Sequence, residues 1–214
     1  MTAGKGIIRA DQQGIGSVLR LYRLTVPPNQ RDYAWEEDHV EDLFQDFAGA
    51  IDSDKPSYFL GTIVLTQGES GLLEVSDGQQ RLATTSILLA AMRDHFISTG
   101  EDELAQSLEN DFLFTYDREA RCRVPKLTLN VDDRQFFLNR ILARPSSPER
   151  KEEAKRDSHR KIDFAAKIAA KLVRELLAPL RAEHTDSSIN KATIMLPQVH
   201  QQRSRTHSTW LAGT

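Results

Sequence analysis

Between Leu72 and Phe96 the chain has little choice of local structure. Leu72 to Val75 reads as a hydrophobic strand, the Asp77-Gly78 pair breaks it, and Leu82, Leu88, Leu89, Met92 and Phe96 then recur along one stripe of a helix. A strand that turns directly into an amphipathic helix sets the helix N-terminus at the edge of a sheet, where unpaired backbone N–H groups favour an anion. Asp77 is read as the N-cap, with Gln80 three residues on in near capping-box spacing. Gly78 is where a ligand can approach the backbone. Arg81 adds a full charge with a planar donor fork suited to phosphate or carboxylate. Helix capping alone explains Asp77, but it leaves Gln79 and Gln80 without a task, because two adjacent amides serve neither a cap nor an apolar core. The turn is therefore a candidate anion site.

Composition narrows the partners. With 214 residues, 39% of them hydrophobic, the chain can bury a core as one domain with additions or as two small ones. Its 28 basic and 31 acidic residues leave a net charge of −3, so there is no overall draw toward nucleic acid and any DNA contact has to be local. The single cysteine, Cys122, cannot form an internal disulfide and is read as structural despite Arg121 and Arg123 beside it. Residues 1–10 lack the apolar stretch of a signal peptide, and no apolar run approaches the roughly 20 residues that cross a bilayer. The expectation is a soluble, cytoplasmic protein without a membrane partner.

Along the chain, Leu21 to Val26 reads as a strand stopped by Pro27-Pro28. The polar and aromatic loop Asn29 to Trp35 follows. Glu36, Glu37 and Asp38 then open a helix with apolar residues at Val40, Leu43, Phe44, Phe47 and Ile51, and Trp35 is expected to staple its start. Tyr58 to Thr66, apolar on both faces, reads as a central strand interrupted by Gly61, which is either a pocket wall or ordinary packing. Gln67 to Gly71 reads as a hairpin turn that pairs this strand antiparallel with Leu72 to Val75. After the helix ending near Gly100, Glu101 to Phe114 is expected to be helical and Leu127 to Val131 a short strand. Asp132 or Asp133 is expected to cap a helix holding Phe136, Phe137, Ile141 and Leu142. Arg144 to Pro148 marks a boundary before a long helix, Glu149 to Leu177, with Phe164, Ile168, Leu172, Leu176 and their neighbours as its apolar side. The expected organisation is a core over 1–100, a helical extension over 101–184 and a disordered or atypical tail over 185–214, whose His200 and His207 lack metal-type spacing.

Three segments together carry a family resemblance: Val26 to Trp35, Tyr58-Phe59-Leu60-Gly61, and Asp77-Gly78-Gln79-Gln80-Arg81-Leu82. Their order and spacing resemble the N-terminal domain of GmrSD-type restriction endonucleases, strongly over Leu21 to Arg93 and more loosely to about Leu177. Asn29 stands where that family usually has Tyr. The resemblance implies an α+β fold: a small ParB/sulfiredoxin-like mixed sheet with helices, followed by a helical extension. It also implies a nucleoside triphosphate as substrate with Mg2+, and nucleotide turnover that controls a His-Asn-His-type nuclease domain or subunit acting on DNA in bacterial defence against phage or modified DNA. It is compatible with an oligomer. Carried over residue by residue, Gln30, Arg31 and Gly78 bind the nucleotide and Asp77, Gln79, Gln80 and Arg81 form the catalytic set. Arg31 and Arg81 would neutralise phosphate, Gln79 or Gln80 would place a water or a base edge, and Asp77 would cap the helix or hold a metal-bound water. No residue is assigned as a direct metal ligand, and no Gly-x-x-x-x-Gly-Lys-Ser/Thr loop is present.

Family members usually continue with a further strand, an Asn-Asp-Arg-Gly-type segment and a nuclease domain, and the resemblance fades here after Leu180. A fold incomplete relative to the family is the resulting expectation. Two other functions stay open on the sequence: a ParB-like nuclease that cuts DNA directly, and a truncated, non-catalytic interaction module.

Overall fold

The computed structural model describes residues 13–52, 61–68 and 72–177. Three parallel strands form the centre: β1 (Leu24–Thr25), β3 (Leu73–Asp77) and β6 (Leu127–Thr128), with β1 between the other two. Leu24 pairs with both Leu73 and Leu127 and is fully buried. β2 (Val64–Gln67) adds antiparallel to β3, as the hairpin pattern predicts. The protein is thus α+β, with a mixed four-stranded sheet and a separate two-stranded ribbon, β4 (Phe114–Asp117) with β5 (Cys122–Pro125).

β2 departs from the expected central strand. It lies at the end of the strand order among the described residues, begins only at Val64 and carries an irregularity between Val64 and Leu65. Val64 is exposed, as an outer position allows, and Gly61 precedes the strand instead of interrupting it.

The first helix, α1 (Ile15–Leu21), takes in Leu21, which the sequence pattern had assigned to a strand. α2 (Glu37–Asp52) begins with Glu37 and Asp38 in its first turn, where carboxylates complement the helix dipole. Trp35 packs partly buried against the core and stacks on His39 at 5.9 Å between ring centroids.

The organising helix is α3 (Gln79–Ser98). It is not the one-sided amphipathic helix of the sequence reading: every residue from Leu82 to Ile87 is buried, because neighbours cover it on several sides. Those neighbours are α1, α4 (Asp102–Leu108) with the π-helical turn Glu109–Leu113 that extends it, and α6 (Asp157–Leu177). Among the described residues the resulting hydrophobic cluster runs from Ile15 to Leu177.

α6 starts at Asp157; the 3-10 turn Pro148–Lys151 and an irregular stretch occupy the beginning of the long helix read from sequence. Its buried side is Ile162, Ala165, Ala169, Val173 and Leu177, whereas Phe164 and Leu176 are exposed. Small alanines let α6 approach α3 closely, so the burying face is turned from the one marked by the largest side chains. Asp133 precedes α5 (Arg134–Phe136), which continues as a π-helical turn through Phe137–Leu142, but its carboxylate makes no cap bond because it is used elsewhere. The expectations for Asp54 to Leu60, Glu69 to Gly71 and the tail with His200 and His207 lie outside the described residues.

Candidate functional site

Because β1, β3 and β6 run parallel, their carboxyl ends lie at one edge of the sheet. β1 delivers the loop Pro27 to Trp35, β3 delivers Asp77 to Arg81, and β6 delivers Leu129 to Asp133. The carboxyl edge of parallel strands is where open sheets gather ligand-binding loops.

Gly78 is the residue between β3 and α3 and is itself the N-cap, in the left-handed region at φ +89°. A Cβ there would come within 2.9 Å of Ile63, so both conformation and space require glycine. This overturns Asp77 as the cap. Asp77 still belongs to the β3 ladder, opposite Val64, and its side chain is 66% exposed, with Arg81 3.9 Å away. Among the described residues no side chain caps α3, so none of them covers the N-terminal N–H groups of this 20-residue helix.

The two glutamines have a task that the sequence did not suggest. Gln80 accepts from the Ala34 N–H at 2.9 Å and donates to the Asp32 carbonyl at 3.1 Å, so both ends of its amide hold the β1 loop. Gln79 donates to the Arg31 carbonyl at 3.1 Å, while its Oε1 is buried and has no hydrogen-bond partner among the described residues. Gln30 donates to the Ser76 carbonyl at 3.2 Å and ties the same loop to β3. Three side-chain amides thus fix one backbone segment.

The third loop completes the clamp. Asn130 donates to the Asp32 carboxylate at 2.7 Å and to the Gln30 carbonyl at 3.3 Å. Asp133 accepts from the Tyr33 N–H at 2.7 Å and from Ser158 at 2.5 Å, which links the loop to the start of α6. The Tyr33 hydroxyl meets Thr84 at 2.8 Å; burial, opposed by that hydrogen bond, pushes its pKa up to about 12 and keeps it neutral.

Val26, Arg31, Tyr33, Gln79, Gln80, Ala83, Leu129, Asn130 and Asp133 enclose a half-open recess with room for about one water molecule. Arg31 is exposed at it and has no ion pair or hydrogen bond from its side chain among the described residues. Of the residues singled out from sequence, Arg31, Gln79 and Gln80 line this recess, whereas Gln30, Asp77, Gly78 and Arg81 do not. Arg81 is covered by Gly61 instead. At φ +97°, Gly61 lies so close that a Cβ would come within 2.1 Å of an Arg81 guanidinium nitrogen. The wall formed by Gly61 is therefore the cover of Arg81.

Asn130 and Asp133 belong to the site and were missed as such. Their signal is a polar cluster directly after a short hydrophobic strand, the same pattern as at Asp77, and it becomes legible once β6 is known to run parallel to β3.

A family model described as GmrSD restriction endonuclease, N-terminal domain, matches residues 11–206. The chain belongs to that family, which ties it to restriction systems. The match takes in most of the tail where the motif resemblance fades, so membership rests on more than the three motif segments. No curated protein matches the chain.

Proposed function

We propose that this chain is the nucleotide-binding regulatory domain of a bacterial restriction system directed against phage or modified DNA. It takes a nucleoside triphosphate with Mg2+ at the carboxyl edge of the sheet and hydrolyses it. That turnover controls DNA cleavage by a His-Asn-His-type nuclease domain or subunit in the cytoplasm. The observation that carries this reading is the convergence of three loops on a helix N-terminus that no described side chain caps, with one buried acceptor, Gln79 Oε1, without a partner among the described residues. Backbone N–H groups at such a helix end suit phosphate, and a leftover acceptor suits a water or the donor edge of a base.

The recess admits about one water, so the body of the nucleotide lies across its mouth, with Arg31 and Arg81 supplying positive charge. Gln30 and Gln80 hold the loop. Among the described residues no group of three His, Cys, Asp or Glu can hold a metal on its own. Mg2+ is typically carried by one or two carboxylates together with substrate phosphates, and exposed Asp77 fits that limited part. When bound, Mg2+ supplies charge neutralisation on the phosphates.

A non-catalytic module is the second reading, favoured by one observation: the amide groups of Gln80 and the amide donor of Gln79 are spent on loop backbone. Calorimetric titration with the four nucleoside triphosphates and Mg2+, together with phosphate release, separates the two. Binding and turnover are expected, with Arg31→Ala and Arg81→Ala each weakening binding about tenfold or more, as loss of a charged hydrogen bond does. Failure of the unaltered chain to bind any of the four leaves only the second reading.

A further inference from the structure

The β4–β5 ribbon is a separate two-stranded sheet, apart from the four-stranded sheet that carries the nucleotide site. Paired residues of a two-stranded ribbon share a face, and the pairs are Phe114 with Pro125, Thr115 with Val124, Tyr116 with Arg123 and Asp117 with Cys122. One face therefore carries Phe114, Tyr116 and Arg123. The Arg123 guanidinium lies over the Phe114 ring at 4.9 Å, and Tyr116 is 61% exposed beside it. The tip adds Arg118 and Arg121, both exposed and without a side-chain hydrogen bond or ion pair among the described residues.

Acidic groups near the tip are mostly withdrawn from it. Asp117 accepts from the Ala120 and Glu119 N–H groups at 3.0 and 2.9 Å and pairs with Arg23 at 2.6 Å, so its charge is turned inward and it fixes the turn. Glu109, 3.6 Å from Arg123, is buried. Arg123 is held by Asn110 at 3.1 Å as well as by Glu109 and the Phe114 ring, so two guanidinium groups, on Arg118 and Arg121, stand exposed at the tip against one exposed carboxylate, Glu119. This local excess sits in a chain whose net charge is −3.

We propose that the β4–β5 ribbon is a docking element for duplex DNA. Arg118 and Arg121 contact phosphates from the tip, and the Tyr116–Arg123 face lies against the groove. The partner follows from charge complementarity with a polyanion, from the fit of a two-stranded ribbon to the major groove, and from membership in a restriction endonuclease family. It does not depend on nucleotide binding at the sheet edge.

The test is fluorescence anisotropy of the full chain with a labelled duplex of about 20 base pairs, two helical turns, over a series of salt concentrations. The key variant is Arg118→Ala/Arg121→Asn, since Arg121 sits at φ +52°, a region that Asn tolerates. A control of equal charge change is Arg160→Ala/Lys167→Ala on α6. The ribbon variant is expected to bind about tenfold or more weakly and to lower the slope of log affinity against log salt by about 2, one for each lost phosphate contact. The control is expected to bind as the unaltered chain does. A fluorophore on Cys122, the only cysteine and exposed on the ribbon's other face, is expected to respond to the duplex. The proposal is overturned if the unaltered chain does not bind duplex at low salt, if ribbon and control variants lose binding equally, or if only single-stranded DNA binds.

Discussion

Arg93, in the second half of α3, and Gln79, in its first turn, are both buried polar side chains of one helix, yet their surroundings differ completely. The Arg93 guanidinium donates to the carbonyls of Leu142 at 2.6 Å, Ala143 at 3.0 Å and Ile141 at 3.3 Å, to Asp94 at 2.8 Å and to Glu109 at 3.2 Å. Arg150 also donates to the Ile141 and Ala143 carbonyls, and Arg144 pairs with Glu109 at 2.7 Å. The carbonyls that end the Phe137–Leu142 turn lack further backbone donors, and two guanidinium groups supply them. Gln79, by contrast, keeps an acceptor in reserve. A satisfied network locks a structure, whereas a leftover group beside an open recess is free for a ligand.

The largest expected effect lies at the satisfied end. Arg93→Leu removes the guanidinium donor of the Leu142 carbonyl, leaves the Ile141 and Ala143 carbonyls with Arg150 alone and takes one cation each from Glu109 and Asp94, which is expected to cost about 3–5 kcal/mol in chemical denaturation. Arg31→Ala, at an exposed position without an ion pair among the described residues, is expected to change stability by less than about 0.5 kcal/mol. Equal losses would erase the distinction between the two ends.

pH should separate them as well. At the site end the shifted group is Tyr33, with a pKa of about 12 when folded against 10.0 for the ordinary side chain. Below pH 10 both states keep the proton and the contribution of Tyr33 is intact. Between pH 10 and 12 the unfolded chain loses it first, so stability falls by about 2–3 kcal/mol. Tyr33→Phe is expected to lack that part of the fall in denaturation curves taken across this range. At the Arg93 end the sign reverses for Glu109. Burial raises its pKa, but the Arg144 hydrogen bond and the charges of Arg93, Arg144 and Arg123 outweigh burial and hold it below the ordinary value. Its contribution is present above the unfolded pKa and is lost as pH falls through the folded one. Asp94, raised by burial against the attraction of Arg93 and Arg150, works in the opposite sense.

Local signals made much of this legible. The β2–β3 hairpin, the start of α2 and the run of α3 follow from turn residues, an acidic first turn and an apolar period, all within a few residues of one another. Two of the three site loops were marked by polar residues that local structure did not require. The third was hidden because the pairing of Leu24 with Leu127 is set by the whole core and leaves no mark in either segment. Asp77 misled for a related reason: cap propensity is a local preference, and the β3 ladder together with the left-handed Gly78 overrode it. Phe164 and Leu176 misled because helix faces were weighed by side-chain size, while α6 packs through alanines.

The smallest effects are also the most discriminating, because they compare two neighbouring glutamines. Gln80→Leu removes the acceptor of the Ala34 N–H and the donor to the Asp32 carbonyl, and is expected to cost about 1–2 kcal/mol. Gln79→Leu gives up one bond to the Arg31 carbonyl but also removes a buried acceptor that has no partner, so its two contributions oppose each other and the net change should be near zero. Nucleotide affinity should rank the pair the other way at a temperature where both variants stay folded: Gln79→Leu loses the group held for the ligand, and Gln80→Leu loses only loop order. If Gln79→Leu instead destabilises the fold as much as Gln80→Leu and leaves nucleotide binding untouched, both amides are loop clamps and the buried acceptor of Gln79 has no part in recognition.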